Sequence, residues 1–480
     1  MSWKLNPKKI KNYPHFDKPI SIANAEKLAL DPSAVAKNSF YPFLRYDESW
    51  QPFRDPTDIG NAKPKKKSRP ISYCARRDAY IFMRYREILS ENYEKKLKEY
   101  GIQDVPLAYR KIPKNSEKSR GKCNIDFAKD VIDEIKKQGD CIVIALDIKG
   151  YFDNLDHTQI EKIWCELMEV STLPKDHAAV FKAVTQYRFA HTQDVYRRLS
   201  YFGFQGSGVS RREGFLQLRS EIPKQLCSNE DFRKLILGNG SKEKSLVRKN
   251  WKSRGIPQGS PISDIIANFY LLEYDREMAK YARRKGGSYR RYSDDILFIL
   301  PARTTDHAVV EAHASSRIRS FGSNLVIKSA KTSVVEFRRL SSGQIFCHQS
   351  GEQGANGLEY LGFRYDGTEV FIRDSTISRY FRKIAVAARA EASYLIKKYP
   401  GMTSVDLMER LNLSVLLQRW DRVKKFRAAK HDPKKWTFRT YAKRAAETFG
   451  NGDVFLKQLS NTKSHLRSRV EKNLVRLLKE

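Results

Sequence analysis

Six apolar residues run without a break from Cys141 to Leu146, between polar neighbours, and the run stops at Asp147. A stretch that short and continuous predicts a buried strand that delivers one carboxylate at its C-terminal end. Buried bare, that carboxylate would cost several kcal/mol, so it needs a cation or a hydrogen-bond partner. The second strong pattern is SYRRYSDDILFIL, Ser288 to Leu300. Tyr289 to Tyr292 and Ile296 to Leu300 each have strand length and composition, which puts Asp294 and Asp295 at the tip of a tight hairpin. Neighbouring aspartates repel, and a rigid turn that holds both is better explained by a divalent cation than by packing, although an isolated Asp-Asp turn is as easily solvated.

Between and around these strands the periodicity changes. Ala75 to about Tyr100 reads as a helix, with Tyr80, Met83, Ile88 and Leu89 at helical spacing. Asp153 and Asp156 read as N-caps for a helix beginning near His157. RGIPQGSP, Arg254 to Pro261, is a Gly-Pro-Gly loop entering a helix, with Ser260 as N-cap, Pro261 as first helical residue and Ile262, Ile265, Ile266, Phe269 and Leu272 as its buried face. Gly286-Gly287 ends that helix. Gly255 and Gly259 would let the backbone approach a ligand, with Gln258 aimed at it. A helix around 306–321 comes next. LVIKSAKTSVVEF then reads as strand, turn and strand with Lys331 at the turn, and Leu358 to Ile372 alternates like a hairpin. From about Thr376 onward the pattern is helical throughout, including VDLMERLNLSVLLQRWDRVKKF. Residues 1–62 show no sustained period and form an N-terminal extension. The polar, Gly-rich stretch within about 185–250 reads as an insert.

Composition narrows the class. The chain has 480 residues, 40% of them hydrophobic, and a formal charge of +35. A globular chain this basic calls for a polyanionic partner, nucleic acid before an anionic membrane surface. No segment approaches the roughly 18 apolar residues of a membrane span, and the N-terminus lacks the apolar centre of a signal peptide. A soluble intracellular protein is expected. Residues 371–480 carry 26 Lys/Arg against 10 Asp/Glu, a basic helical tail in which Lys424, Lys425 and Arg427 form one run. KPKKKSRPISY, Lys63 to Tyr73, roots a basic loop in a strand, which suits a triphosphate, although a Lys-rich loop alone is as readily just solvated. The six cysteines are scattered without metal-ligand spacing.

Taken in order, Asp147, Pro257-Gln258-Gly259, Tyr292 to Asp295, Lys331 and Tyr360-Leu361-Gly362-Phe363 resemble the reverse transcriptases, specifically the bacterial ones of group II introns, retrons and phage-defence systems. The likeness covers about residues 63–370. It implies a right-hand polymerase with an α/β palm and fingers over 63–375 and an all-α basic thumb over 376–480. It also implies two Mg²⁺ ions, or Mn²⁺, held by Asp147, Ile148, Asp294 and Asp295, with the three aspartates catalytic. Arg69 and Lys67 would then meet the triphosphate, Gln258 and Phe152 the incoming nucleotide, and Lys331 the pyrophosphate. Tyr292 and Ser293, with Tyr360, Leu361 and Gly362, would contact primer and template. The partners implied are an RNA template, dNTPs and a DNA product. AYRK, Ala108 to Lys111, and FRTYAKRA, Phe438 to Ala445, are most similar to defence-associated enzymes, which implies a structured noncoding RNA template and a bacterial cytoplasmic setting. An intron splicing factor of maturase type and a retron-type enzyme are the alternatives. An RNA-dependent RNA polymerase would usually place an aspartate five residues after the first, where this chain has Phe152.

Overall fold

The computed structural model describes residues 3–50, 67–114, 121–208, 211–240, 242–349, 357–418, 437–450 and 452–478. Lys63, Lys65 and Lys66 of the basic loop, and Lys424, Lys425 and Arg427 of the tail, lie outside the described residues.

A five-stranded antiparallel sheet, in the order Ile345–Gln349, Ser333–Arg339, Cys141–Asp147, Asp295–Pro301, Ser288–Tyr292, forms the middle of the molecule. Its central strand is apolar at consecutive positions because both faces are covered. Ile142, Ile144 and Leu146 enter one core with Tyr93 and Leu97 of the Arg76–Glu99 helix and with Ile266 and Phe269. Cys141 and Val143 enter the other, with Val131 and Ile135 of the Asn124–Gln138 helix. That second core continues into the tail, through Ile384, Ala445 and Leu466. The tail helices Asp374–Lys398, Phe438–Phe449 and Thr462–Leu478 therefore pack on the back of the sheet.

A second sheet is ordered Lys67–Tyr73, Phe43–Trp50, Arg188–His191, Arg248–Lys249. Leu44 to Trp50 pairs residue by residue with Lys67–Tyr73, so the N-terminal segment supplies a strand that its sequence pattern does not reveal. Both ends of the 185–250 stretch join the same sheet, and a separate ribbon, Phe202–Gln205 with Arg212–Phe215, projects from it. Among the described residues no helix is long and apolar enough to cross a membrane.

Several local expectations change. The helix after the Gly-Pro-Gly loop begins at Ser263, not at Pro261, and Ser260 makes no cap; Ser263 Oγ instead donates to the Pro257 carbonyl at 2.7 Å. The helix is also two pieces, Ser263–Phe269 and Leu272–Arg284. Leu325 to Lys328 is not a strand but touches the sheet through one bridge, Ile327 to Ile148. The predicted hairpin at 358–372 is a three-stranded meander. Asp156 does cap the His157–Met168 helix, accepting from Gln159 N, whereas Asp153 lies inside the short Tyr151–Asn154 turn of helix.

Candidate active site

Strand register brings the carboxylates together. Asp147 ends its strand directly opposite Asp295, and Asp295 pairs across the hairpin with Tyr292. The connection is the two-residue turn Ser293-Asp294, with Ser293 at φ +61, the left-handed sense that a primed hairpin turn needs at its first position. Three donors pin this turn. Arg291 Nη1 reaches the Ser293 carbonyl at 3.0 Å, Ile148 N the Asp294 carbonyl at 3.1 Å, and the Tyr109 hydroxyl the Ser293 Oγ at 3.4 Å.

Beneath the turn lies an ion pair that the sequence pattern did not single out. Arg291 and Asp275 are both fully buried, with guanidinium-to-carboxylate distances of 2.6 to 3.1 Å, and Tyr289 OH adds a bond of 2.8 Å to the same carboxylate. Arg291 also donates to the Asn268 carbonyl at 3.0 Å. The available signal was parity: Tyr289 and Arg291 occupy the buried alternate positions of their strand, and an arginine there demands a partner. Tyr109 was likewise missed as a neighbour of the turn. It takes φ +63, and its flanks are held by Asn268 Nδ2 on the Ala108 carbonyl and Arg86 Nη2 on its own carbonyl, at 2.7 and 3.1 Å.

The aspartates press on one another. Burial raises the Asp294 carboxyl, and the Asp147 charge adds to it. Asp295 reaches the surface, yet its surroundings are dense enough that burial, then Asp294 and Asp147, push its carboxyl up to about 7, against Lys331 and Arg373. Lys331 Nζ sits on Asp147 Oδ2 at 2.8 Å, and Lys328 Nζ is 3.8 Å from the same oxygen. Among the described residues no three His, Cys, Asp or Glu side chains meet as a ready ligand set for a metal ion. The donors fit a hard divalent cation in kind, since all are carboxylate oxygens, but Asp147 is engaged by Lys331.

Arg69 is exposed, 5.7 Å from the Trp50 ring centroid, and its charge favours the ionised Asp294 carboxylate. Lys67 is exposed two residues earlier on the same strand. Gln258 is half-buried, and its carbonyl accepts from Ser72 N at 2.8 Å. The carbonyl of half-buried Phe152 accepts from Ile256 N at 2.9 Å. The loop thus ties the Arg69 strand to the turn after Asp147. The glycines serve that packing: a Cβ on Gly255 would meet the Asp153 carbonyl oxygen at 2.9 Å, and one on Gly259 the Ser72 carbonyl oxygen at 2.9 Å. Within the chain, what approaches them is the protein's own backbone.

The Leu361-Gly362 turn stands behind the aspartates. The Tyr360 ring is buried in the tail-facing core, with its hydroxyl unpaired, so it is not presented to a strand of nucleic acid as expected. Leu361 and Gly362 both have positive φ, and their carbonyls accept from Asn124 Nδ2 and Arg373 N at 3.1 and 3.0 Å. Tyr292 is half-buried with its ring edge-on to Phe127 at 6.2 Å.

Residues 219–365 match the family described as "Reverse transcriptase (RNA-dependent DNA polymerase)". The matched span holds the Gly-Pro-Gly loop, the aspartate hairpin and Lys331, and leaves Asp147 and Arg69 outside. No curated protein matches the chain. Among solved structures it is similar to apo telomerase from Candida tropicalis truncated from the C-terminal domain, at 12% identity and TM-score 0.36, covering 65% of this chain and 53% of that one. It is also similar to Candida albicans telomerase in complex with a TWJ fragment of telomeric RNA, at 13% identity and TM-score 0.36, covering 85% and 60%. The chain therefore spans little more than half the length of these structures. The matched residues hold the aspartate hairpin and four of the five strands of the central sheet, so 219–365 resemble a reverse transcriptase domain.

Proposed function

We propose that the protein is an RNA-directed DNA polymerase that extends a primer with deoxynucleotides along an RNA template. The observation that carries this reading is the register that sets Asp147 against Asp295 beside Asp294, with the family match lying over the hairpin that holds Asp294 and Asp295. In this reading Asp147, Asp294 and Asp295 hold divalent metal, magnesium or manganese, with the Ile148 backbone beside them. Bound there, the metal supplies a lowered pKa at the primer 3′-hydroxyl and charge to offset the departing pyrophosphate. The chain's own residues do the positioning. Arg69 and Lys67 bind the triphosphate, Gln258 and Phe152 orient the sugar and base, and the pinned Ser293-Asp294 turn fixes the carboxylates. Lys331 neutralises Asp147 until substrate arrives and then donates its proton toward the leaving pyrophosphate.

The template in this reading is a dedicated structured noncoding RNA, and the setting is antiviral defence in the cytoplasm of a bacterium. The likeness of AYRK and FRTYAKRA to defence-associated enzymes supports that setting. The test is to sequence the RNA that co-purifies with the protein and the DNA it makes from supplied dNTPs. One recurrent RNA, copied into complementary DNA, is the expected result. Intron RNA that is bound and never copied would favour a splicing factor instead.

A further inference from the structure

At the far end of the strand that carries Arg69, a cavity of about 550 Å³ opens on the fingers, and its walls are aromatic. Tyr46 and Tyr73 come from the paired strands Phe43–Trp50 and Lys67–Tyr73, Tyr196 from the Thr192–Arg198 helix, and Phe202 and Phe215 from the projecting ribbon. Tyr196 and Phe202 stand edge-on to Phe215, at 5.8 and 5.3 Å between centroids, and Tyr46 is tilted on Tyr73 at 6.2 Å. The Thr192 hydroxyl in the same lining donates to the Arg45 carbonyl at 3.1 Å, so it is already satisfied within the wall. Two further groups are polar: the Gln193 amide and the exposed Arg219 guanidinium, which lies 4.4 Å from the Phe215 centroid.

The cavity shares a strand face with Arg69. Arg69, Ile71 and Tyr73 alternate on one face, and Tyr46 is directly opposite Ile71 in the register. The face that carries Arg69 therefore continues into the cavity, with Tyr73 about 13 Å beyond Arg69 at the usual strand rise. A lining of rings, one amide and one guanidinium matches a flat ring with hydrogen-bonding edges and an attached anion. An aliphatic ligand would leave Gln193 and Arg219 without partners, and an aromatic peptide side chain would bring no anion to the guanidinium. A chain of formal charge +35 favours the polyanionic candidate.

We propose that this cavity takes one unpaired nucleotide of single-stranded RNA, its base stacked against Tyr46 and Phe215, its edge read by Gln193 and its phosphate on Arg219. The inference rests on the polymerase reading, because it takes that strand to be template not yet copied. The probe is a single-stranded oligouridylate carrying one 2-aminopurine, bound to the full-length protein. Stacking is expected to quench its emission. Tyr46→Leu and Arg219→Gln are each expected to relieve the quenching and weaken binding roughly 5- to 100-fold, while Tyr46→Phe, which keeps the ring, binds like the wild type. Tyr46 is 46% exposed and Arg219 is at the surface, so neither change hollows the core. Primer extension on a pre-annealed template with a single unpaired nucleotide, too short to reach the cavity, is expected to be unchanged in both variants. Wild-type quenching and affinity in both variants, with extension intact, would overturn the pocket and leave the polymerase standing. Failure of the wild type both to bind the RNA and to extend the primer would overturn the polymerase reading and the pocket with it.

Discussion

Phe152 is five positions after Asp147, half-buried, edge-on to Tyr151 at 5.9 Å and fixed by its carbonyl to the Gly-Pro-Gly loop. A ring held there, with part of its surface open, would exclude a ribose 2′-hydroxyl by overlap. Phe152→Ala is expected to raise rNTP use relative to dNTP by about 10- to 100-fold, from relief of a clash of roughly 1–3 kcal/mol. The ratio of kcat/KM for the two substrates measures it. If the ring only fills space, the ratio stays fixed while stability falls by roughly 3–5 kcal/mol. Another residue-scale effect comes from Asp78, buried at the start of the Arg76–Glu99 helix, where it accepts from Asn38 Nδ2 at 3.1 Å and Tyr41 N at 2.9 Å. Burial pushes its carboxyl from 3.8 up to about 7. The folded state therefore keeps a proton that the unfolded chain has released. The resulting stabilisation is complete below the unfolded value and is lost as pH rises through about 7. Urea midpoints at about pH 5 and pH 8 should fall less with rising pH in Asp78→Asn than in the wild type, and equal pH dependence would contradict the assignment.

The elements show why some features were legible and others were not. Cys141–Asp147 and the aspartate hairpin could be read because each is a short run whose burial is decided by its own residues. Phe43–Trp50 could not, because past Leu44 it is polar and mostly exposed, and its strand state comes from partners 17 to 29 residues later. Leu325 to Lys328 has strand composition but meets only the end of the central strand, where Ile148 leaves room for a single bridge. The glycines of the loop were correctly marked as points of close approach, but which atoms approach is a long-range fact. So is the partner of Arg291, which sits on a helix sixteen residues away. That pair carries a testable cost. Arg291→Met leaves the Asp275 carboxylate buried without its cation and is expected to destabilise the protein by about 3–5 kcal/mol, whereas adding Asp275→Leu should recover much of the loss. Urea unfolding of the single and double variants decides it; a single variant as stable as the wild type would show that the pair does not hold the hairpin.

At the scale of the molecule, the palm sheet is the shared wall of two cores, one reaching the fingers and one the basic tail. The sequence indicated a basic helical tail from its charge and period, but not that it packs on the back of the five-stranded sheet, since helical spacing says which face is buried and not against what. Its outer face is available for phosphates: Arg379, Lys383 and Arg389 are exposed along the Asp374–Lys398 helix. Replacing all three with Gln should lower the slope of log affinity for RNA against log salt by up to about three. An unchanged slope would make this face a merely solvated one. The central claim is that three aspartates, joined by one strand register and one two-residue turn, catalyse RNA-templated DNA synthesis. Its most direct test is the rate of dNTP addition to a primer on an RNA template by Asp294→Asn, with RNA binding measured in parallel. The expected result is a loss of several orders of magnitude in rate with binding retained, because a carboxylate is removed and no phosphate contact is. Extension at near wild-type speed would contradict the assignment of the site.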